Sequence, residues 1–251
     1  VTLSVDLAAA GRWFPVARSE EVIARHVVQT QIFGQELAVW RDDTGAVNAW
    51  ENRCPHRGVR LSIGHNNGTE LQCQYHGWRF ASGSGQCTFI PAHPTQKPAA
   101  TIRAATYAVR ERHGFVWACV DTPTYPLPEV PAEMLTLRSV VVGAAHDSIA
   151  AALLLGYRFA ADPEGADPRG ADSLMDAEVT AVEPFLLRTA AIGRRGTTVM
   201  FFLQPHTERQ TVIHAGVFDT APPDAGTARL AVLRHHNARM TALRAALEGL
   251  P

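Results

Sequence analysis

The chain is 251 residues long, 46 % hydrophobic and close to electroneutral, with a formal net charge of −1. That length suits one large or two modest domains, and the charge balance argues against a nucleic-acid partner. No stretch approaches a membrane span and none has the charged-then-apolar order of a signal peptide, so the expectation is a cytoplasmic protein with no membrane partner.

In chain order, residues 22–28 and 37–40 are β-rich runs. Asp42-Asp43-Thr44-Gly45 is a hairpin turn signal that returns the chain through a partner strand at 46–50. Residues 101–109 alternate in part, and His113-Gly114 turns the chain into a second apolar run at 115–120. These signals predict an all-β domain over residues 1–121. A proline-rich stretch over 122–131 follows, whose stiff, extended character suits a linker. Residues 132–251 change in pattern. They predict a strand over 135–142, a helix-like stretch over 146–159 and a turn-rich loop over 162–170. Four antiparallel strands at 177–182, 185–192, 197–203 and 211–218 come next, then an amphipathic helix over 230–250. Arg234, His235, His236, Arg239 and Arg244 read as the solvated face of that helix. The fold class expected is α+β.

The chemistry is concentrated in two short runs. Cys54-Pro55-His56-Arg57-Gly58 is followed, with sixteen residues between His56 and Cys73, by Cys73-Gln74-Tyr75-His76-Gly77-Trp78. Two thiolates and two imidazoles at C-x-H and C-x-x-H spacing can hold a [2Fe-2S] cluster asymmetrically, Cys54 and Cys73 on one iron, His56 and His76 on the other. Glycines at 58 and 77 let each loop turn sharply, and its backbone N–H groups can then tune the reduction potential. A Cys2His2 set also suits zinc, although zinc fingers pair Cys with Cys and His with His. Cys87 and Cys119 lack a partner motif and read as small buried hydrophobes. With two of four cysteines claimed by the loops, no disulfide framework is expected.

Around these loops the sequence resembles the Rieske non-haem iron oxygenases, in particular those similar to the vanillate O-demethylase alpha subunit. The resemblance is carried by Trp13-Phe14-Pro15-Val16-Ala17, Leu37-Ala38-Val39-Trp40-Arg41-Asp42 and Asn52-Arg53 before the first loop. It continues through Arg79-Phe80, the turn Gly83-Ser84-Gly85-Gln86-Cys87, Ile90-Pro91 and Gly114-Phe115-Val116-Trp117. It implies an N-terminal all-β Rieske [2Fe-2S] domain and a second, helix-grip-like antiparallel sheet with a C-terminal helix. The cluster of this branch suits electrons from a ferredoxin or flavin reductase. The family commonly assembles as rings, so an oligomer is expected.

The resemblance also implies a mononuclear iron in the second domain, held by two His and a carboxylate. The matching segment, His146-Asp147-Ser148-Ile149-Ala150-Ala151-Ala152-Leu153-Leu154-Leu155-Gly156-Tyr157-Arg158-Phe159, lacks the expected His pair. His146, Asp147, His206 and His214 remain as an unusual facial triad, against a reading of His206 as a loop residue and His214 as a strand residue. Mononuclear Fe(II) is therefore not expected in this chain. Three functions follow. The chain is a Rieske component that passes electrons to a mononuclear iron on a catalytic oxygenase subunit, a self-sufficient monooxygenase or demethylase with an unrecognised iron site, or a stand-alone electron carrier or redox sensor.

Overall fold

The computed structural model describes residues 9–160, 174–193, 196–219 and 227–248. The loop expected over 162–170 and the last residues of the expected terminal helix lie outside them. The chain divides into two compact units, Val1–Pro128 and Glu129–Pro251.

The first unit is built from β1 (Phe14–Arg18), β2 (Val27–Ile32), β3 (Gln35–Arg41), β4 (Val47–Glu51), β5 (His65–Asn66), β6 (Glu70–Gln72), β7 (Arg79–Ala81), β8 (Cys87–Phe89), β9 (Ala108–Arg112) and β10 (Phe115–Cys119). They form three antiparallel sheets in the orders β1-β10-β9, β2-β3-β4 and β5-β6-β7-β8. The β3–β4 turn is fixed by Asp42, whose Oδ1 accepts from the Thr44 and Ala46 N–H groups at 2.9 and 3.0 Å and from the Thr44 hydroxyl at 2.6 Å. Burial pushes that carboxyl up, but bonds from Ser82, Thr44 and Ala46 outweigh it and hold the group below its ordinary range. Arg41 joins β3 to β9 through a bidentate pair with Glu111 at 2.6 and 2.7 Å, and also donates to the Val22 and Gly45 carbonyls. Trp40 and Trp50 meet edge to face, centroids 5.1 Å apart. They share one buried cluster with Leu61, Leu71, Phe80, Cys54 and Cys73, so the two loop cysteines sit in the wall of a hydrophobic core.

Two expectations in this unit shift. Only the end of 22–28 is strand: β2 starts at Val27, after a 3-10 turn at Ser19–Glu21, an isolated bridge from Ala24 to Arg41 and an Arg25 held at φ 65°. Val22 is buried without belonging to a strand, so its β-branched type reports burial rather than pairing. Residues 101–107 contribute isolated bridges, Gln86 with Arg103 and Trp50 with Thr106, and regular pairing begins only at Ala108. In the proline-rich stretch, the Thr124 and Tyr125 N–H groups donate to the Gly11 carbonyl and Trp13 Nε1 donates to the Tyr125 carbonyl. The stretch is packed on the first unit up to that point.

The second unit comprises β11 (Leu135–Thr136), β12 (Val140–Val142), α1 (His146–Leu154), β13 (Tyr157–Phe159), β14 (Met175–Ala177), β15 (Val179–Glu183), β16 (Leu186–Thr189), β17 (Thr198–Thr207), β18 (Gln210–Phe218) and α2 (Thr227–Leu247). Its main sheet runs β11-β18-β17-β16-β15, with β12 also pairing to β18, while β13 and β14 form a separate pair. The strand expected over 135–142 is thus two short strands that dock on one partner. α1 packs against β15 and β17, and α2 against β12 and β13. The molecule is α+β, as its sequence pattern implies.

Three further corrections follow. The helix-like stretch 146–159 ends at Leu154. Gly156 at φ 126° turns the chain, and Tyr157–Phe159 is a strand with Tyr157 and Phe159 buried on one side. His206 lies in β17 rather than in a loop. His235 and His236 do not face solvent: they are 2 % and 0 % exposed, whereas Arg234 and Arg244 are exposed. The reason is helical spacing. Val232, His236 and Met240 recur every fourth residue and Leu247 extends the same apolar stripe, so the second imidazole lies on the buried face.

Candidate metal centre

The two Cys/His loops have the same backbone plan. In the first, the Cys54 N–H donates to the Val59 carbonyl and the Gly58 N–H donates to the Cys54 carbonyl, both at 2.8 Å. In the second, the Cys73 N–H donates to the Trp78 carbonyl at 2.8 Å and the Gly77 N–H to the Cys73 carbonyl at 3.0 Å. Each loop closes over five residues after its cysteine, with glycine in the left-handed region at the fourth, φ 70° at Gly58 and 68° at Gly77. A side chain with a Cβ strains that conformation, which explains glycine at both positions.

These turns bring the four expected ligands together. Cys54 and Cys73 are buried in one hydrophobic cluster. His56 and His76 sit further out, ring centroids 4.8 Å apart, His56 half-buried and His76 exposed. Trp78 stacks on His56 at 4.2 Å with the rings 7° from parallel, and Tyr75 lies against His76 at 3.8 Å. Trp78 therefore packs over the site, and the second loop supplies an aromatic neighbour to each imidazole.

Burial pushes the Cys54 thiol up to about 11. The neighbouring Cys73 adds to this, while the His56 and Arg57 N–H groups directed at the sulfur work against it. Such a thiol stays protonated at neutral pH unless a cation displaces the proton, so it is not a free nucleophile. Partial burial, then His76 and Arg57, lower His56 below its ordinary range and favour the neutral, coordinating imidazole. Two soft sulfurs inside, two imidazoles outside and N–H groups aimed at a sulfur fit a [2Fe-2S] cluster. Cys87 and Cys119 are buried and free, and their S–H groups point to the Phe89 and Asp121 carbonyls.

The donors considered for a mononuclear iron are not assembled. His146 lies against Phe185, centroids 4.9 Å apart. His206 Nδ1 pairs with Gln210 Oε1 at 2.6 Å, and the two ring nitrogens of His214 pair with Ser139 Oγ and Gln204 Oε1, both at 2.8 Å. Among the described residues, no three His, Cys, Asp or Glu side chains converge as they would around a single ion. No described helix is long and apolar enough to cross a membrane.

Comparison with known proteins agrees with this geometry. The Rieske [2Fe-2S] domain family matches residues 12–111. The chain is 40 % identical over 225 residues to Oxidoreductase NdmD of Pseudomonas putida, covering 84 % of this chain and 36 % of that protein. It is 38 % identical over 128 residues to the 3-chlorobenzoate-3,4-dioxygenase oxygenase subunit of Comamonas testosteroni, covering 50 % of this chain and 29 % of that one. The chain spans about a third of the length of these curated relatives. In fold it is similar to apo dicamba monooxygenase, with a TM-score of 0.74 at 20 % identity over 97 % of this chain and 87 % of that one. The loop plan and the domain match give the chain a Rieske [2Fe-2S] domain over residues 12–111, in a chain similar to longer oxidoreductase and oxygenase components.

Proposed function

We propose that this chain is the electron-delivering Rieske component of an oxygenase system: residues 1–121 hold a [2Fe-2S] cluster on Cys54, Cys73, His56 and His76. Residues 122–131 are a linker, and 132–251 form a reduced helix-grip-like domain. Electrons enter from a ferredoxin or flavin reductase and leave for a mononuclear iron on a catalytic oxygenase subunit of the same oligomer, in the cytoplasm. The observation that carries the reading is the pair of Cys/His loops closed by matching backbone hydrogen bonds, with buried cysteines and outward imidazoles.

When bound, the cluster supplies reversible one-electron transfer. The chain's own residues do the rest. Cys54 and Cys73 keep two thiolate positions inside the core wall, where water is excluded. His56 and His76 present their rings toward the surface, the shortest route for an electron to or from another protein. Trp78 fixes the plane of His56, and the His56 and Arg57 N–H groups favour the ionised form of Cys54.

Supporting the partner-chain destination is the engagement of His146, His206 and His214 elsewhere in the second unit. The alternative, a self-sufficient monooxygenase or demethylase, is favoured by the whole-chain likeness to apo dicamba monooxygenase. Iron analysis of the purified chain separates the two. Two irons per chain together with co-purification of a separate oxygenase subunit support the first reading, and a third iron with unaided substrate turnover establishes the second.

A further inference from the structure

In the second unit, a break in strand pairing sets a serine against a buried imidazole. Thr136 pairs with Gly216 and Val140 with Ile213, so the three residues 137–139 stand opposite the two residues 214–215. The extra residue is a β-bulge, a device that bends a strand and re-aims a side chain. Two bonds hold its shape. The Leu137 N–H donates to the Ala215 carbonyl at 2.8 Å, and the Arg138 N–H donates to Asn237 Oδ1 of α2 at 2.7 Å. The next residue is Ser139, whose Oγ lies 2.8 Å from His214 Nδ1.

The imidazole is oriented from its other side. Gln204 is the diagonal neighbour of His214 across β17 and β18, and its Oε1 lies 2.8 Å from His214 Nε2. A carboxamide oxygen carries no hydrogen, so Nε2 holds the ring proton and Nδ1 is the bare nitrogen, which accepts from the Ser139 hydroxyl. Gln204 is 0 % exposed and His214 2 %, whereas Ser139 is only half-buried. Hydroxyl, base and orienting amide thus run in that order toward the interior, the relation on which acyl transfer by a serine depends. Packing accounts for the burial of His214 but not for a bulge that turns a hydroxyl onto its bare nitrogen.

We infer that Ser139 is an activated nucleophile that takes the acyl group of small esters, with His214 as general base and Gln204 as its positioning residue. Ser139 Oγ bonds to the ester carbonyl carbon and its proton passes to His214 Nδ1. The ester C–O bond then breaks, and the leaving oxygen takes that proton to depart as the free alcohol. Water cleaves the acyl-serine by the same route: it gives a proton to Nδ1, its oxygen bonds to the acyl carbon, and Oγ leaves with the proton as the acid is released. The reaction exchanges no electrons and is independent of the cluster assignment above.

The test is acetylation of the full, cluster-loaded chain by p-nitrophenyl acetate. Release of p-nitrophenolate is followed by absorbance, and the acetyl group is located by peptide mass spectrometry. Lys97 is the one lysine of the sequence, so background acetylation of lysine side chains is confined to a single, separate peptide. The expected result is an acetyl group on Ser139 in the wild type, none at that position in Ser139→Ala, and a rate of labelling roughly a hundredfold lower in His214→Leu. Gln204→Leu is expected to lose most of the rate and Gln204→Glu, which keeps an acceptor for the Nε2–H, to recover it; a glutamine that only fills space gives no such recovery. If the core variants fail to fold, as read by circular dichroism, the wild-type label and its loss in Ser139→Ala decide the matter. An unlabelled Ser139 in the folded wild type, or an undiminished rate in folded His214→Leu, overturns the inference and leaves the cluster reading standing.

Discussion

At the scale of single residues, the imidazoles are the informative groups, and they divide into two kinds. His56 and His76 lie at the rim of a sulfur pair, and their assignment as ligands has a direct electrochemical consequence. Exchange of either for Cys replaces a neutral donor with an anionic one, so a cluster that survives His76→Cys has a lower reduction potential and a changed visible spectrum. An unchanged potential removes His76 from the ligand set. His236 is the opposite case, buried with no hydrogen-bond partner for either nitrogen among the described residues. Burial first, then His235 and Arg239, push its pKa down to about 3. Unfolded, the imidazole takes up a proton below about pH 6.5, while the folded protein does not, so acid favours unfolding. His236 is expected to contribute a loss of roughly 2 kcal/mol between pH 6.5 and pH 5, so that the loss in His236→Met is smaller than in wild type by that amount. Denaturant titrations at both pH values check this, and equal pH dependence in the two proteins contradicts it. The sequence identified the first pair through its spacing to cysteine. It hid the second because a His-His pair among arginines looks polar until its place on the Val232–Met240 stripe is counted.

At the scale of elements, the cluster loops are hairpins whose geometry depends on one backbone angle each. Gly58 and Gly77 share nearly the same positive φ, but their surroundings differ: a Cβ on Gly58 meets nothing within 4 Å, whereas one on Gly77 comes within 3.1 Å of the Pro91 ring. Alanine at either site costs about 1–2 kcal/mol of backbone strain. Gly77→Ala adds crowding, so it is expected to lose more of its cluster than Gly58→Ala. Acid-labile sulfide per chain measures the difference, and the reverse order contradicts the account. The loops were legible because their turn residues are local. The strands of 22–28 and the end of 146–159 were not, since Val22 is buried without pairing and Tyr157–Phe159 finds its strand partner in Met175–Ala177, which no local pattern announces.

At the scale of the whole molecule, the first unit holds both Cys/His loops and the second is a sheet with two helices. The β11–β18 sheet and α2 belong to a fold similar to that of apo dicamba monooxygenase, and His206 and His214 of this unit make side-chain hydrogen bonds. The fold class was legible from alternation and turn signals, but the burial of His235, His236 and His214 arises from contacts between distant segments. The central claim, a cluster held by two sulfurs and two imidazoles, is tested most directly by pulsed EPR of the reduced protein together with iron and sulfide analysis. The account predicts two irons and two sulfides per chain, with two histidine nitrogens coupled to the cluster and one lost in each of His56→Ala and His76→Ala wherever the cluster persists. Zinc in place of iron, or a cluster with no nitrogen coupling, would contradict it.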